Sequence, residues 1–322
     1  MNKPVVWWVT TGQAGFRSQA GGLVNALGLE AQEKVIDLKG LWSFAPAALW
    51  RMTLAKLNPA KDRLQPPWPD LIISCSRRAA RAAIAVKRAS GGRTLAVHIQ
   101  NPLMSLREFD LVLPMRHDGV DGPNVIPVDT ALHDVTPSKL AAGAEHWRAR
   151  FAALPRPLTG VLVGGATRQR PFTAEQAQAL IERLNAARRD GGGLAITASR
   201  RTPGPVMDLL HAAFDQDPAV FLWDGQGDNP YLGILALSDR LAATGDSVSM
   251  VSEAATTGRP VAVFDLGGGG KRHARFLANL VERGIVSLLD GSPWLPAPDA
   301  PINATPQAAE AVRGLLAERG DV

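Results

Sequence analysis

Cysteine is nearly missing from this chain: Cys75 is alone among 322 residues. A lone thiol excludes an internal disulfide and any cysteine-based metal cluster, which fits a reducing compartment and makes the cytoplasm the expected location. Its setting, Leu71-Ile72-Ile73-Ser74-Cys75, reads as a buried strand, so an inert thiol is expected. Long apolar runs are missing too. The run Val5 to Val9 is too short to span a bilayer and lacks a small-residue cleavage site, so neither a membrane span nor a signal peptide is expected. There is no His-x-x-x-His and no paired cysteine, and no metal is expected.

What is present is the balance of an ordinary globular protein, with 46% hydrophobic and 20% charged residues. A chain of this length exceeds one hydrophobic core, so two domains are expected. The formal net charge is +5. Its arginines are scattered through Ala-rich helical stretches such as Ser76 to Arg88, with no basic run interleaved with aromatics, so nucleic acid is not the expected partner. A phosphate-bearing small ligand or an anionic membrane surface would draw on the same field.

Apolar runs alternate with amphipathic stretches along the chain. Strands are expected at Val5 to Thr10, Ala31 to Ile36, Leu71 to Cys75, Thr94 to Ile99, Leu111 to Pro114 and Asn124 to Pro127, with helices at Ser18 to Leu27, Ala47 to Leu57 and Arg77 to Ala89. An Ala-rich helix from Thr136 ends near Pro155-Arg156-Pro157, where a fresh series begins: strands at Thr159 to Val163, Gly193 to Thr197, Val220 to Trp223, Arg240 to Ala243 and Pro260 to Phe264, with helices between them. The pattern predicts an α/β protein of two Rossmann-like, doubly wound parallel-sheet domains facing a cleft. Their expected bounds are 1–155 and 156–305, with a terminal helix in 306–322 able to dock on either. Ligands are expected at the C-terminal ends of the strands.

The strongest local signal is Leu241 to Ala254, where a strand meets the small-residue turn Thr244-Gly245-Asp246 and a helix starts at Ser247 or Ser249. Unpaired N–H groups at such a start, with the helix dipole and hydroxyls, suit a diphosphate, and Glu253 one turn on suits a ribose diol. Arg200 and Arg201 follow the strand Gly193 to Thr197, at its C-terminal end, as candidate phosphate clamps, and Thr167 and Arg168 hold the matching place after Thr159 to Val163. Gly267 to Gly270 predicts a mobile loop carrying Lys271, Arg272 and His273 toward a sugar or phosphate, and its spacing is not that of a P-loop.

The turn, the hydroxyls, Glu253 and then Ala255-Thr256-Thr257-Gly258-Arg259-Pro260-Val261 resemble the nucleotide-sugar site of glycosyltransferase-B enzymes. More narrowly, the chain from Val5 to Asp290 resembles the mitochondrial fission ELM1 family. The residues that carry this are Thr11 to Gln19, Leu162-Val163-Gly164-Gly165, Thr197 to Thr202, Asn229-Pro230-Tyr231, Thr244 to Met250, Lys271-Arg272-His273 and Arg275-Phe276. The wider resemblance implies a donor diphosphate held at Gly245, Ser247 and Ser249 and a ribose at Glu253. It also implies an acceptor-side wall at Gly12, Gln13, Gly15, Arg17 and Ser18, whose glycines let backbone approach a ligand.

The resemblances imply two functions of different class. One is a metal-independent transfer of a sugar from a nucleoside diphosphate sugar, a substrate rather than a cofactor, to a membrane-associated or soluble acceptor. The other is a non-catalytic adaptor that recruits a partner protein at a membrane. A sugar-nucleotide epimerase is a third reading on the same fold. A general base would be a carboxylate or histidine near the acceptor hydroxyl, and Asp129 and His133 follow a predicted strand where such residues are expected. Trp42, Trp50 and Trp68, mixed with Lys39, Arg51, Lys56 and Lys61, suggest peripheral membrane contact.

Overall fold

A computed structural model describes residues 3–37, 54, 61–166, 171–267 and 270–320. The chain divides into two compact units, Met1–Asp134 with Ala304–Val322, and Val135–Asn303.

The first unit is a parallel sheet of β1 (Val6–Thr10), β2 (Ala31–Val35), β3 (Leu71–Cys75), β4 (Leu95–Ile99) and β5 (Leu111–Leu113), in the order β2-β1-β3-β4-β5. It is covered by α1 (Ala14–Leu27) and α2 (Arg77–Ala89). β3 and β4 are buried along their whole length, as strands covered on both faces should be. α2 lies against β1, β3 and β4 through Ala79, Ala80, Ala82, Ala83 and Val86, all buried, so its arginines stay on the outer side while small side chains let the helix sit close.

Asn124 to Pro127 is not a strand. It runs beside β5 and makes only the isolated bridges Val112–Val125 and Met115–Val128, because Pro123 and Pro127 supply no N–H to a ladder. The helix expected at Ala47 to Leu57 lies outside the described residues, apart from Leu54.

The second unit opens with α3 (Pro137–Phe151) and carries β6 (Leu158–Val163), α4 (Ala174–Ala187), β7 (Gly193–Ala198), α5 (Gly204–Phe214), β8 (Val220–Leu222), α6 (Tyr231–Leu237), β9 (Arg240–Thr244), α7 (Val248–Ala255), β10 (Val261–Phe264), α8 (Lys271–Glu282) and β11 (Ser287–Leu288). Its six parallel strands run β11-β10-β9-β6-β7-β8. The unit boundary falls after Asp134 rather than after Leu154-Pro155, because α3 packs on α6. Gly143 and Gly233 bring the two helices together: a Cβ at Gly143 would stand 2.7 Å from the Cβ of Leu232, and one at Gly233 would stand 2.5 Å from the Trp147 ring. Trp147 stacks on Phe151, and Phe221 meets both rings edge-on.

The final helix, α9 (Ala304–Arg319), belongs to the first unit and packs on α1. Thr305 accepts the His133 N–H at 3.1 Å and donates to the His133 carbonyl at 3.2 Å, and Arg313 donates to the Ala26 carbonyl.

Candidate functional site

In the second unit the chain runs outward from β6 in both directions, to β7 and β8 on one side and to β9, β10 and β11 on the other. The loops after β6 and β9 therefore part at a topological switch point, where doubly wound sheets bind ligands at the carboxyl ends of their strands. Three loops meet there: Gly164–Gly165 after β6, Ser199–Thr202 after β7 and Gly245–Ser247 after β9.

Asp246 ties them together. Its side chain is wholly buried, and it accepts the Gly165 N–H at 2.8 Å and the Thr244 hydroxyl at 2.7 Å. Arg201 pairs with it at 3.5 Å. The Thr244 oxygen in turn accepts the Gly164 N–H at 2.7 Å, and Thr202 donates to the Gly164 carbonyl at 2.5 Å. No side chain fits at either glycine. A Cβ on Gly164 would stand 2.2 Å from the Asp246 carboxylate, and one on Gly165 would stand 2.2 Å from the Arg201 backbone.

α7 begins on this support. Ser247 caps it by accepting the Met250 N–H at 3.4 Å, while the N–H groups of Val248 and Ser249 open the helix without intrahelical acceptors. Gly245 lies against Leu277 and Val263, where a Cβ would come within 3.0 and 3.1 Å, so the turn stays low over the strand ends. Glu253 is buried on α7 and accepts a hydrogen bond from the Tyr231 phenol at the start of α6. Burial and the adjacent Glu253 carboxylate push that phenol well above its ordinary value, which keeps it a donor.

The two arginines of the β7 loop differ. Arg201 is engaged by Asp246, whereas Arg200 is exposed and, among the described residues, makes no side-chain hydrogen bond or ion pair. Lys271, Arg272 and His273 are not on a loop but form the first turn of α8, after Gly270 as N-cap. Thr167 and Arg168 lie outside the described residues.

In the first unit Gly12, Gln13 and Arg17 line one cavity, while Asp129 and His133 are not among the residues that line it. Only Gly12 and Gln13 form the turn after β1, since α1 already starts at Ala14, so Gly15, Arg17 and Ser18 are helical. Arg17 holds Glu33 through two bonds of 2.6 Å. Asp129 is paired with Arg116 at 2.7 Å. His133 is buried against α9, and desolvation lowers its ring to about 4, with Asp134 opposing the shift. A neutral, enclosed imidazole of this kind serves packing, and the carbonyl of His133 occupies the space beside Gly22, where a Cβ would come within 2.3 Å. Cys75 is buried and its thiol is pushed up by desolvation, so it stays protonated.

One Asp-x-Asp triplet, the spacing of metal-dependent glycosyltransferases, is present at Asp215-Gln216-Asp217. It follows α5 and precedes β8, at the opposite edge of the sheet from the glycine turns, with Asp217 paired to Arg188 and Asp215 to His211. Sequence reasoning missed Asp246, Thr244 and Tyr231 as organisers, because each acts on a partner about 20 to 80 residues away and nothing local marks that.

Solved structures share this architecture. The Acinetobacter baumannii MurG structure aligns over 97% of this chain and 100% of its own, with a TM-score of 0.55 at 14% identity. UDP-GlcNAc 2-epimerase from Neisseria meningitidis, bound to UDP-GlcNAc, aligns over 98% and 100%, with a TM-score of 0.52 at 12% identity. At such identities the likeness shows the fold, which is the glycosyltransferase-B type. Among curated proteins, the Arabidopsis thaliana mitochondrial fission protein ELM1 is 31% identical over 292 residues, covering 82% of this chain and 68% of the plant protein. Protein RP120 of Rickettsia prowazekii is 27% identical over 263 residues, covering 70% and 73%. No described helix is long and apolar enough to cross a membrane. The model for the mitochondrial fission ELM1 family matches residues 14–316, and the chain belongs to that family.

Proposed function

We propose that the second unit binds a nucleoside diphosphate sugar at the switch point between β6 and β9, and that the protein transfers the sugar to an acceptor hydroxyl. The observation that carries this reading is the Asp246 assembly. A buried carboxylate holds two glycine backbone segments and an arginine loop beside the start of a helix, whose first N–H groups are donors of the kind a diphosphate uses. In the transfer, the acceptor oxygen bonds to the anomeric carbon as the bond from that carbon to the diphosphate oxygen breaks. The hydroxyl proton passes to a base, and the departing diphosphate takes up the negative charge. The Val248 and Ser249 N–H groups and the exposed Arg200 would stabilise that charge. The fold neighbours named for UDP-GlcNAc make uridine the first nucleotide to test.

The second reading, an adaptor that recruits a partner protein, is supported by the plant relative's name. Thermal unfolding against UDP, GDP, ADP, TDP and CMP separates the two. A ligand that binds only the folded chain raises stability by about 2.7 kcal/mol at a hundred times its Kd. A shift for one nucleotide that is lost in Glu253→Ala supports transfer; no shift for any of them at millimolar concentration sinks it and leaves the adaptor.

A further inference from the structure

The segment from Trp223 to Pro230 follows β8 at its carboxyl end and leads directly into α6, whose first residue is Tyr231. Residues 224–229 are all exposed. Gly225 and Gly227 take φ of +86° and +67°, and a Cβ at either would meet nothing within 4 Å, so the segment turns through open space. Local bonds give it a shape. The Trp223 indole N–H donates to the Gln226 carbonyl at 2.7 Å, the Asp224 carboxylate accepts the Gln226 N–H at 2.9 Å, and the Asn229 side chain accepts the Tyr231 N–H.

Such bonds close turns within the segment without fixing where it stands. Among the described residues, one bond does that: Nε2 of His146 on α3 stands 3.0 Å from a carboxylate oxygen of Asp228. α3 is well anchored for the purpose. Its Trp147 packs against Gly233 of α6 and Phe221 of β8, and the His146 ring meets Trp147 edge-on with centroids 5.4 Å apart. The tie therefore joins the segment to the helix that already grips both elements between which the segment runs.

The strength of the tie depends on charge. A neutral imidazole gives Asp228 an ordinary N–H bond, whereas a protonated one gives a charge-assisted bond, about twice as strong. A histidine ordinarily takes its second ring proton below about pH 6.5. The charged groups around His146 are Glu145, Arg148 and Arg150 on α3, with Glu145 and Arg148 paired at 3.9 Å and Arg150 over the Phe221 ring, and Asp224 and Asp228 on the segment. β8 brings no charge, and α6 brings only the Tyr231 phenol. With 58% and 75% of the two side chains exposed, water screens the pair, and its effect is about two- to fivefold rather than orders of magnitude.

The tie reaches the nucleotide site at Tyr231, because that phenol donates to Glu253, the carboxylate proposed for the ribose. We propose that His146 is a positioning residue for that site: through Asp228 it holds the 224–230 segment, the segment holds Tyr231 at the start of α6, and Tyr231 aims Glu253, so that nucleotide binds more tightly when the imidazole is charged. The effect on affinity rests on the nucleotide reading above; the tie itself does not.

The test pairs two measurements on the full chain at pH 6 and pH 8, for the unaltered protein, His146→Gln, Asp228→Asn and His146→Lys. Both replaced side chains are more than half exposed, so the fold is not at stake. Hydrogen exchange at the Gln226 and Tyr231 amides, corrected for the intrinsic effect of pH, reads the tie, and calorimetric titration with UDP reads the site. At pH 6 both amides are expected to exchange about two- to fivefold more slowly in the unaltered protein than in His146→Gln or Asp228→Asn, with the gap narrowed at pH 8. His146→Lys carries a cation at both pH values and should keep the slow exchange at pH 8 as well. UDP affinity should follow the same order, each variant being compared with the unaltered protein at the same pH because a terminal phosphate itself titrates near about pH 6. Exchange that is equal in the unaltered protein and His146→Gln at pH 6 overturns the tie. UDP affinity indifferent to all three substitutions at both pH values overturns the positioning role and leaves the nucleotide reading standing. The expected exchange pattern without any UDP binding removes the nucleotide reading, and the positioning role with it, while the tie stands.

Discussion

The Tyr231 phenol donates its proton to the Glu253 carboxylate, joining the first residue of α6 to the buried face of α7. The bond gives the Asn229-Pro230-Tyr231 motif a physical meaning, since Asn229 also accepts the Tyr231 N–H at 2.9 Å and so fixes the tyrosine at the helix start. It also orients the carboxylate that the proposed ribose contact needs.

Removing that hydroxyl should therefore cost stability. Tyr231→Phe leaves a buried carboxylate short of a donor, and a loss of about 1–3 kcal/mol is expected. Urea unfolding should show a lower midpoint with an unchanged slope. An unchanged midpoint would mean that the bond contributes nothing net.

The two arginines of the β7 loop should separate stability from binding. Arg201→Ala takes the cation from the buried Asp246 carboxylate and should lower the Tm, while Arg200→Ala should leave stability within about 0.5 kcal/mol. For UDP the order is reversed in kind: Arg200→Ala should weaken binding without any loss of fold. Equal effects of the two on both readouts would contradict the assignment.

Gly165→Ala should be damaging although it adds a single methyl group. The new Cβ would meet the Arg201 carbonyl carbon at 2.2 Å, backbone that cannot swing aside. Overpacking of this kind costs about 1–3 kcal/mol, and the displaced loop should reduce nucleotide binding as well. Gly204→Ala, with open space around it, is the control expected to fold and bind normally.

Two buried histidines set an acid limit. Desolvation lowers His98 to about 3, opposed by the hydrogen bond at Ser74, and lowers His133 to about 4, from an ordinary value of 6.5. Both rings are neutral when folded, and the unfolded chain binds more protons below 6.5. Their stabilisation is thus complete above pH 6.5 and is lost as the pH falls from there toward 4 and 3. The slope should reach about 1.4 kcal/mol per pH unit for each ring. Chemical denaturation between pH 7 and pH 4.5 checks this, and a flat profile would show that the rings are hydrated.

Much of this fold was legible locally. The α2 and β3 bounds follow from an Ala-rich amphipathic stretch and a five-residue apolar run, since burial on one face or on both leaves a periodicity in the chain itself. The turn Thr244 to Ser247 is equally local, because a buried strand, small residues and a hydroxyl cap adjoin in sequence. The failures have different causes. Asn124 to Pro127 has strand-like residues, but its flanking prolines decide its hydrogen bonding, and α3 looks like the end of one unit until Gly143 meets α6.

The sequence alone thus determined two parallel-sheet units, a glycine turn with a capped helix in the second, and the family. Tertiary structure decided that α9 returns to α1 through Thr305 and His133, that Asp246 binds Gly165 from a loop 81 residues away, and that Arg201 rather than Arg200 is committed to it. Periodicity records which face of an element is buried. It carries no record of which distant carboxylate, glycine or arginine will share that burial, because those pairings arise only when the strands take their order in the sheet.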